Sequence, residues 1–121
     1  MARTSEPPAR FDRELLKGNT ATVVLAILAE GPLHGYQIAK EMRRRSDDAL
    51  QLGQGVLYPI LHRLEDRGLI GGEWEQSTGT PSRKRYSITK AGVAALRAKR
   101  SEWTAFSQAM AKVLGAKGGG R

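Results

Sequence analysis

Two groups of side chains in this 121-residue chain carry chemistry that a hydrophobic core does not need. Arg83-Lys84-Arg85 sets three cations in a row, straight after a turn-like stretch holding Gly79 and Pro81. Cations so placed displace counterions from a phosphate backbone, or serve only as a charged edge strand that resists aggregation. Gln54, Gly55, Tyr58, Pro59, His62 and Arg63 recur along one side of a segment whose other side is apolar. Such a helix face is either simply solvated or fit to read base edges in a major groove. Neither group is built for catalysis. The chain has no Gly-x-Ser-x-Gly elbow and no Gly-Lys-Ser/Thr phosphate loop, and Gly53-x-Gly55 lacks the third glycine of a dinucleotide fingerprint. His34 and His62 stand far apart, with no cysteine or paired carboxylate beside them to complete a metal site. No enzyme activity, cofactor or metal is expected, and each histidine is expected to be structural or to touch DNA.

Four helices and a hairpin are predicted to position these groups. The first helix runs from Asn19 or Thr20 to Glu30, with Thr20 as N-cap, an apolar face of Val23, Val24, Ile27 and Leu28, and Gly31-Pro32 as its stop. The second, Gly35–Arg45, turns Ile38, Ala39 and Met42 inward and loads its last turn with Arg43, Arg44 and Arg45, where the helix dipole favours cations. Leu50 and Leu52 alternate as a short strand does. The third helix, Gln54–Arg67, has the strongest pattern. Leu57, Ile60, Leu61 and Leu64 fall at i, i+3, i+4 and i+7, Gly68 ends it, and Pro59 is expected near its first turn. Leu69–Glu75 and Arg83–Thr89 read as strands, with Ile70 and Trp74 on one face, Tyr86 and Ile88 on another, and turn chemistry over Gln76–Ser82. Thr89 caps a long fourth helix, Lys90–Leu114. Three helices followed by a hairpin predict a winged helix-turn-helix, α+β in class and mainly α.

Composition narrows the partners. A formal net charge of +8 with no cysteine suggests a polyanion as ligand and a reducing cytoplasm as setting. The longest nearly apolar run, Ala21–Ala29, is far short of a bilayer span, and Met1–Arg13 is too polar for a signal peptide. Secreted, membrane-bound and disulfide-stapled forms are not expected.

Three stretches carry a resemblance. Gly31-Pro-Leu-His-Gly-Tyr-Gln-Ile38, Gly55-Val-Leu-Tyr-Pro-Ile-Leu-His-Arg-Leu-Glu-Asp-Arg-Gly-Leu-Ile70 and Arg83-Lys-Arg-Tyr-Ser-Ile-Thr-Lys-Ala-Gly92 resemble the PadR family of bacterial transcriptional regulators, in its short-armed branch with one C-terminal helix. The resemblance runs from about Leu15 to Leu114, and the polar Asn19-Thr-Ala-Thr22 is its one small departure. It implies that the third helix is the recognition helix, with Tyr58 suited to a thymine methyl or a phosphate and Arg63 to a phosphate or a guanine. Tyr36 either joins the second helix's N-terminus at a phosphate or packs on the first helix.

The fourth helix has Leu96, Trp103 and Met110 at seven-residue steps, with Phe106 and Val113 between and after them and Lys99 breaking the seam. Its apolar stripe needs a partner, either its own domain or a second copy of the chain. The resemblance implies a dimerisation arm that in some relatives helps line an effector pocket, with Trp103 and Phe106 matching that stretch. Trp103 either stacks on a flat aromatic effector or plugs the dimer core. The expected parts are a flexible arm over 1–13, a DNA-binding domain over 14–89, the dimerisation helix over 90–114 and a disordered tail over 115–121. The expected function is a cytoplasmic homodimeric repressor on a pseudo-palindromic operator in double-stranded DNA, released by a small aromatic effector. A non-specific architectural protein and a winged-helix protein-interaction module are the alternatives.

Overall fold

A computed structural model describes residues 13–77 and 80–115 of the chain. Of the expected arm and tail, all but Arg13 and Gly115 lie outside the described residues. The elements are α1 (Arg13–Lys17), α2 (Thr20–Leu28), β1 (Leu33–His34), α3 (Gly35–Arg45), α4 (Gln54–Asp66), β2 (Ile70–Ser77), β3 (Thr80–Ile88) and α5 (Lys90–Leu114). The sheet is antiparallel with order β1-β3-β2, and Leu33 pairs with Tyr86, His34 with Arg85 and Glu75 with Arg83. This is the expected winged helix-turn-helix with a long C-terminal helix.

The core gathers where α2 crosses α3, α4, α5 and β3. Val24, Leu25, Ile27 and Leu28 of α2 meet Ile38 and Met42 of α3, the four predicted leucine and isoleucine positions of α4, and Ile70, Tyr86 and Leu96. Leu25 is buried more fully than the predicted Val23, because α2 lies among several neighbours rather than against one. Gly68 ends α4 in the left-handed region, with Leu69 N–H bonded to Leu64 O and Gly68 N–H to Glu65 O. That is the Schellman pattern, which only a residue tolerant of positive φ closes without strain.

Several local expectations needed correction. Asn19, not Thr20, caps α2, and its amide bonds back to Leu15 O, so it closes α1 instead of serving α2 through its side chain. Thr20 is the first helical residue and is buried. Leu50 and Leu52 form no strand: they lean on the core from an irregular loop that leaves α3 through Asp47 and Asp48, both at positive φ. Pro59 falls at the sixth residue of α4, past the first turn, where it deletes the bond to the Gly55 carbonyl. Both residues are exposed, so solvent can serve that carbonyl. The strands run on to Ser77 and Thr80, which pair, and leave only 78 and 79 between them. Among the described residues, β1 pairs with β3 only at Arg85 and Tyr86.

Thr89 ties the last helix to the end of α4. Its hydroxyl accepts from Gly92 N–H at 3.0 Å and donates to Gly68 O at 2.7 Å, and its own N–H bonds Leu69 O at 3.1 Å. A Cβ at Gly92 would overlap the Leu69 carbonyl, so α5 can approach this closely only through glycine. Gly92→Ala is therefore expected to destabilise the fold by on the order of 1–3 kcal/mol through overpacking. Thr89→Ala should cost about 1 kcal/mol through removal of the N-cap, with urea denaturation as the measurement for both.

Candidate nucleic-acid interface

With its apolar stripe buried, α4 presents Gln54, Gly55, Val56, Pro59, His62 and Arg63 to solvent. Five of these six are the predicted residues. Val56 escaped notice because an exposed valine leaves no signal in a hydrophobic pattern. The expectation for Tyr58 is corrected: its ring is half-buried against the core, and its hydroxyl occupies the space a side chain at Gly35 would need. Gly35 and Tyr58 thus set how closely α3 and α4 approach.

β3 divides its three cations between two faces. Arg83 and Arg85 are exposed on one side, while Lys84 turns to the other with Tyr86. Lys84 Nζ lies 3.0 Å from Glu65 Oε1 and within 5.6 Å of the Trp74 and Tyr86 ring centroids. Its charge is committed within the fold, so Lys84 is corrected from a DNA-facing residue to an anchor of the hairpin on α4. Strand alternation allows nothing else, since Arg83, Lys84 and Arg85 cannot all share a face.

Tyr36 is exposed and takes neither of its expected places alone. Its ring stacks parallel to that of His34, with centroids 6.0 Å apart, and its hydroxyl accepts from Arg83 Nη1 at 3.3 Å. His34 itself is buried. One ring nitrogen lies 2.7 Å from Glu75 Oε1 and the other 3.1 Å from Gln37 Oε1, while Arg85 Nε sits 2.7 Å from the second Glu75 oxygen. The hydrogen bond from His34 and the charges of Arg85 and Arg83 hold the Glu75 carboxyl below the usual carboxylate range. Among the described residues, Arg83 has no carboxylate within 4.0 Å. Gln37, Glu65 and Glu75 were missed from sequence, because their importance lies in partners from distant segments. Lys40, exposed one helical turn beyond Tyr36, could have been found by its i, i+4 spacing.

The arginine run closing α3 is a different matter. Arg44 and Arg45 both bond Glu41, and Arg45 also reaches Glu30 at 2.9 Å. The hydrogen bonds from Arg44 and Arg45 push the Glu41 carboxyl down to about 2.

On α5, Leu96 is corrected from the seam to the core: it is 4% exposed and packs within its own domain. Trp103, Phe106, Met110 and Val113 remain exposed, Trp103 at 54% and Val113 at 83%. Trp103 also walls a cleft of about 660 Å³ between α1, α2, the loop after α3 and α5, with Leu16, Val23, Leu50 and Leu52 among its lining. Phe106 does not line it, so the two aromatic residues paired in sequence are separated here.

These features define a winged helix-turn-helix protein with an apolar C-terminal arm. The chain belongs to the transcriptional regulator PadR-like family, which residues 24–98 match; it is a transcriptional regulator, not an enzyme. A transcriptional regulator of Mycobacterium tuberculosis is 34% identical over 84 residues, covering 69% of this chain and 75% of that one. A PadR family regulator from Eggerthella lenta superposes with a TM-score of 0.76 at 31% identity, over 86% and 88% of the two chains. Bacillus subtilis PadR, solved in complex with operator DNA, shares the fold at a TM-score of 0.60 and 24% identity, over 64% of this chain and 44% of that one. Among the described residues no helix is long and apolar enough to cross a membrane.

The Lys84–Glu65 pair is partly exposed, so its worth is small. A double-mutant cycle of Lys84→Met and Glu65→Gln in urea denaturation should give a coupling of about 0.5–1 kcal/mol.

Proposed function

We propose that this regulator is a sequence-specific DNA-binding repressor that acts in the cytoplasm as a homodimer. Residues 14–89 form its DNA-binding unit and 90–114 its dimerisation helix. The observation that carries this reading is the exposed polar face of α4, from Gln54 to Arg63, set beside the outward Arg83 and Arg85 of the hairpin. A helix with its apolar side fully committed and Gln, His and Arg outward is suited to the major groove, and the hairpin arginines to the flanking phosphates. That a protein sharing this fold is known in complex with operator DNA is in keeping with DNA as the ligand. Gln54, His62 and Arg63 are the proposed base-reading residues, with Gly55 and Pro59 allowing close approach. Tyr36 belongs to the phosphate-facing side through Arg83. Two copies related by a two-fold axis would read half-sites about one helical turn apart.

Replacing Arg83 and Arg85 by alanine should weaken binding to all sequences alike and reduce the log–log salt slope by about 0.9 for each phosphate no longer neutralised. Arg63→Ala or His62→Ala should instead cost on the order of 1–3 kcal/mol at particular base pairs of an operator obtained by selection from random DNA. Equal weakening on selected and random DNA for every variant would show an architectural protein instead.

The exposed Trp103, Phe106, Met110 and Val113 supply the dimer surface, and the cleft beside Trp103 supplies room for a flat aromatic effector that binds the DNA-incompetent state better. With Trp74→Phe, Trp103 is the one remaining tryptophan. Planar aromatic compounds should then quench its emission saturably and release operator DNA together. Light scattering should show a dimer that disappears on truncation after Ala98. A monomer at tens of micromolar would refute the arm.

A further inference from the structure

Val56 stands on the exposed face of α4 with 54% of its surface open to solvent. Other exposed apolar side chains have a setting in the fold: Tyr36 stacks on His34, Trp74 lies beneath Lys84, and Trp103 walls the cleft. Val56 stands instead in a polar row, with Gln54 before it and His62 and Arg63 beyond it. Helix formation does not favour it, because a β-branched side chain is stiff and ranks below alanine in a helix. Gly53 and Gly55 precede it, both exposed and neither at positive φ. A Cβ on either would enter open space. Packing does not require glycine at these places, and Gly55 weakens the helix that contains it. What the two glycines leave is bare backbone, so a flat surface can come close to the valine methyls.

Pro59 and Arg63 follow Val56 at i+3 and i+7 and share its side of the helix. That stripe runs from Gly53 through two apolar side chains to a cation. A major groove offers hydrogen-bonding groups on every base pair and one kind of apolar group, the C5 methyl of thymine. An apolar side chain pressed on a polar base edge strips water from a donor or acceptor without replacing it. We infer that Val56 is a specificity-determining residue that reads a thymine in each half-site, through contact of its side-chain methyls with the C5 methyl. This rests on the proposed docking of α4 in the major groove. Cytosine at that position lacks the methyl, and a purine sets N7 in its place.

The full chain and an operator selected from random DNA test this. Each thymine of one half-site is replaced in turn by deoxyuridine, which pairs with adenine as before and lacks only the methyl. One such replacement should weaken binding of the parent about threefold to fivefold, the worth of one buried methyl group. In Val56→Ala, which should keep at least the parent's urea midpoint, the same replacement should cost nothing measurable. Gly55→Ala should raise the midpoint, as alanine does within a helix, and yet weaken operator binding about tenfold by crowding the contact. An operator on which no uracil replacement weakens the parent overturns the inference and leaves the docking of α4 standing. A uracil penalty that persists undiminished in Val56→Ala does the same. Gly55→Ala binding as tightly as the parent removes the close approach and overturns the inference too. If selection enriches no sequence at all, sequence-specific docking itself fails and the inference falls with it.

Discussion

β3 is the strand on which the arrangement turns, because its two-residue alternation assigns opposite duties to adjacent side chains. Tyr86 and Lys84 face inward, the first into the core against Ile70 and the helices, the second onto Glu65 at the end of α4. Arg85 and Arg83 face outward, toward Glu75 and Tyr36. A one-residue slip would bury two guanidinium groups and expose the tyrosine, a change no surface interaction could offset. The register is fixed from both edges, by Leu33 opposite Tyr86 on one side and by Ile70 opposite Ile88 on the other. The hairpin is thereby anchored to α4 through Lys84 and to the start of α3 through Glu75, and both helix-turn-helix helices share in holding it.

What could be read from the sequence was what depends on near neighbours in the chain. The stripe of Leu57, Ile60, Leu61 and Leu64, the glycine ending of α4 and the Thr89 cap are each fixed within one or two turns of helix, so spacing alone reveals them. What stayed hidden depends on partners far away in sequence. Tyr58 looks like a surface reader until Gly35 is placed beneath it, and Leu96 looks like a seam residue until α2 is packed against α5. β1 has two residues, too few for any period to show, and exists only because β3 offers its edge. The three cations of the hairpin looked alike in sequence because their difference lies in which face each occupies.

Charge shows the same division. The formal +8 is a property of the whole chain, but where it can act depends on which cations already have carboxylates. The most conspicuous basic run, Arg43 to Arg45, is largely answered by Glu41, Glu30 and Asp48. It draws α3 toward the end of α2 rather than toward a ligand. A basic cluster marks an interface only when its counter-charges come from outside the fold.

Among the described residues, α5 is buried in the rest of the molecule only near its start. Its 25 residues extend about 37 Å, yet Gly92 and Leu96 are the buried residues along it. The contacts at its base reach Gly68 and Leu69, the two residues that close α4. In mechanical terms this is a long beam clamped at the C-terminal end of α4. A tilt of about 10° at that clamp would carry the far tip through about 6 Å, more than one helical pitch. Conversely, anything that fixed the tip would act on α4 with a mechanical advantage, and slight angular strain at Thr89 would be enough to tilt it.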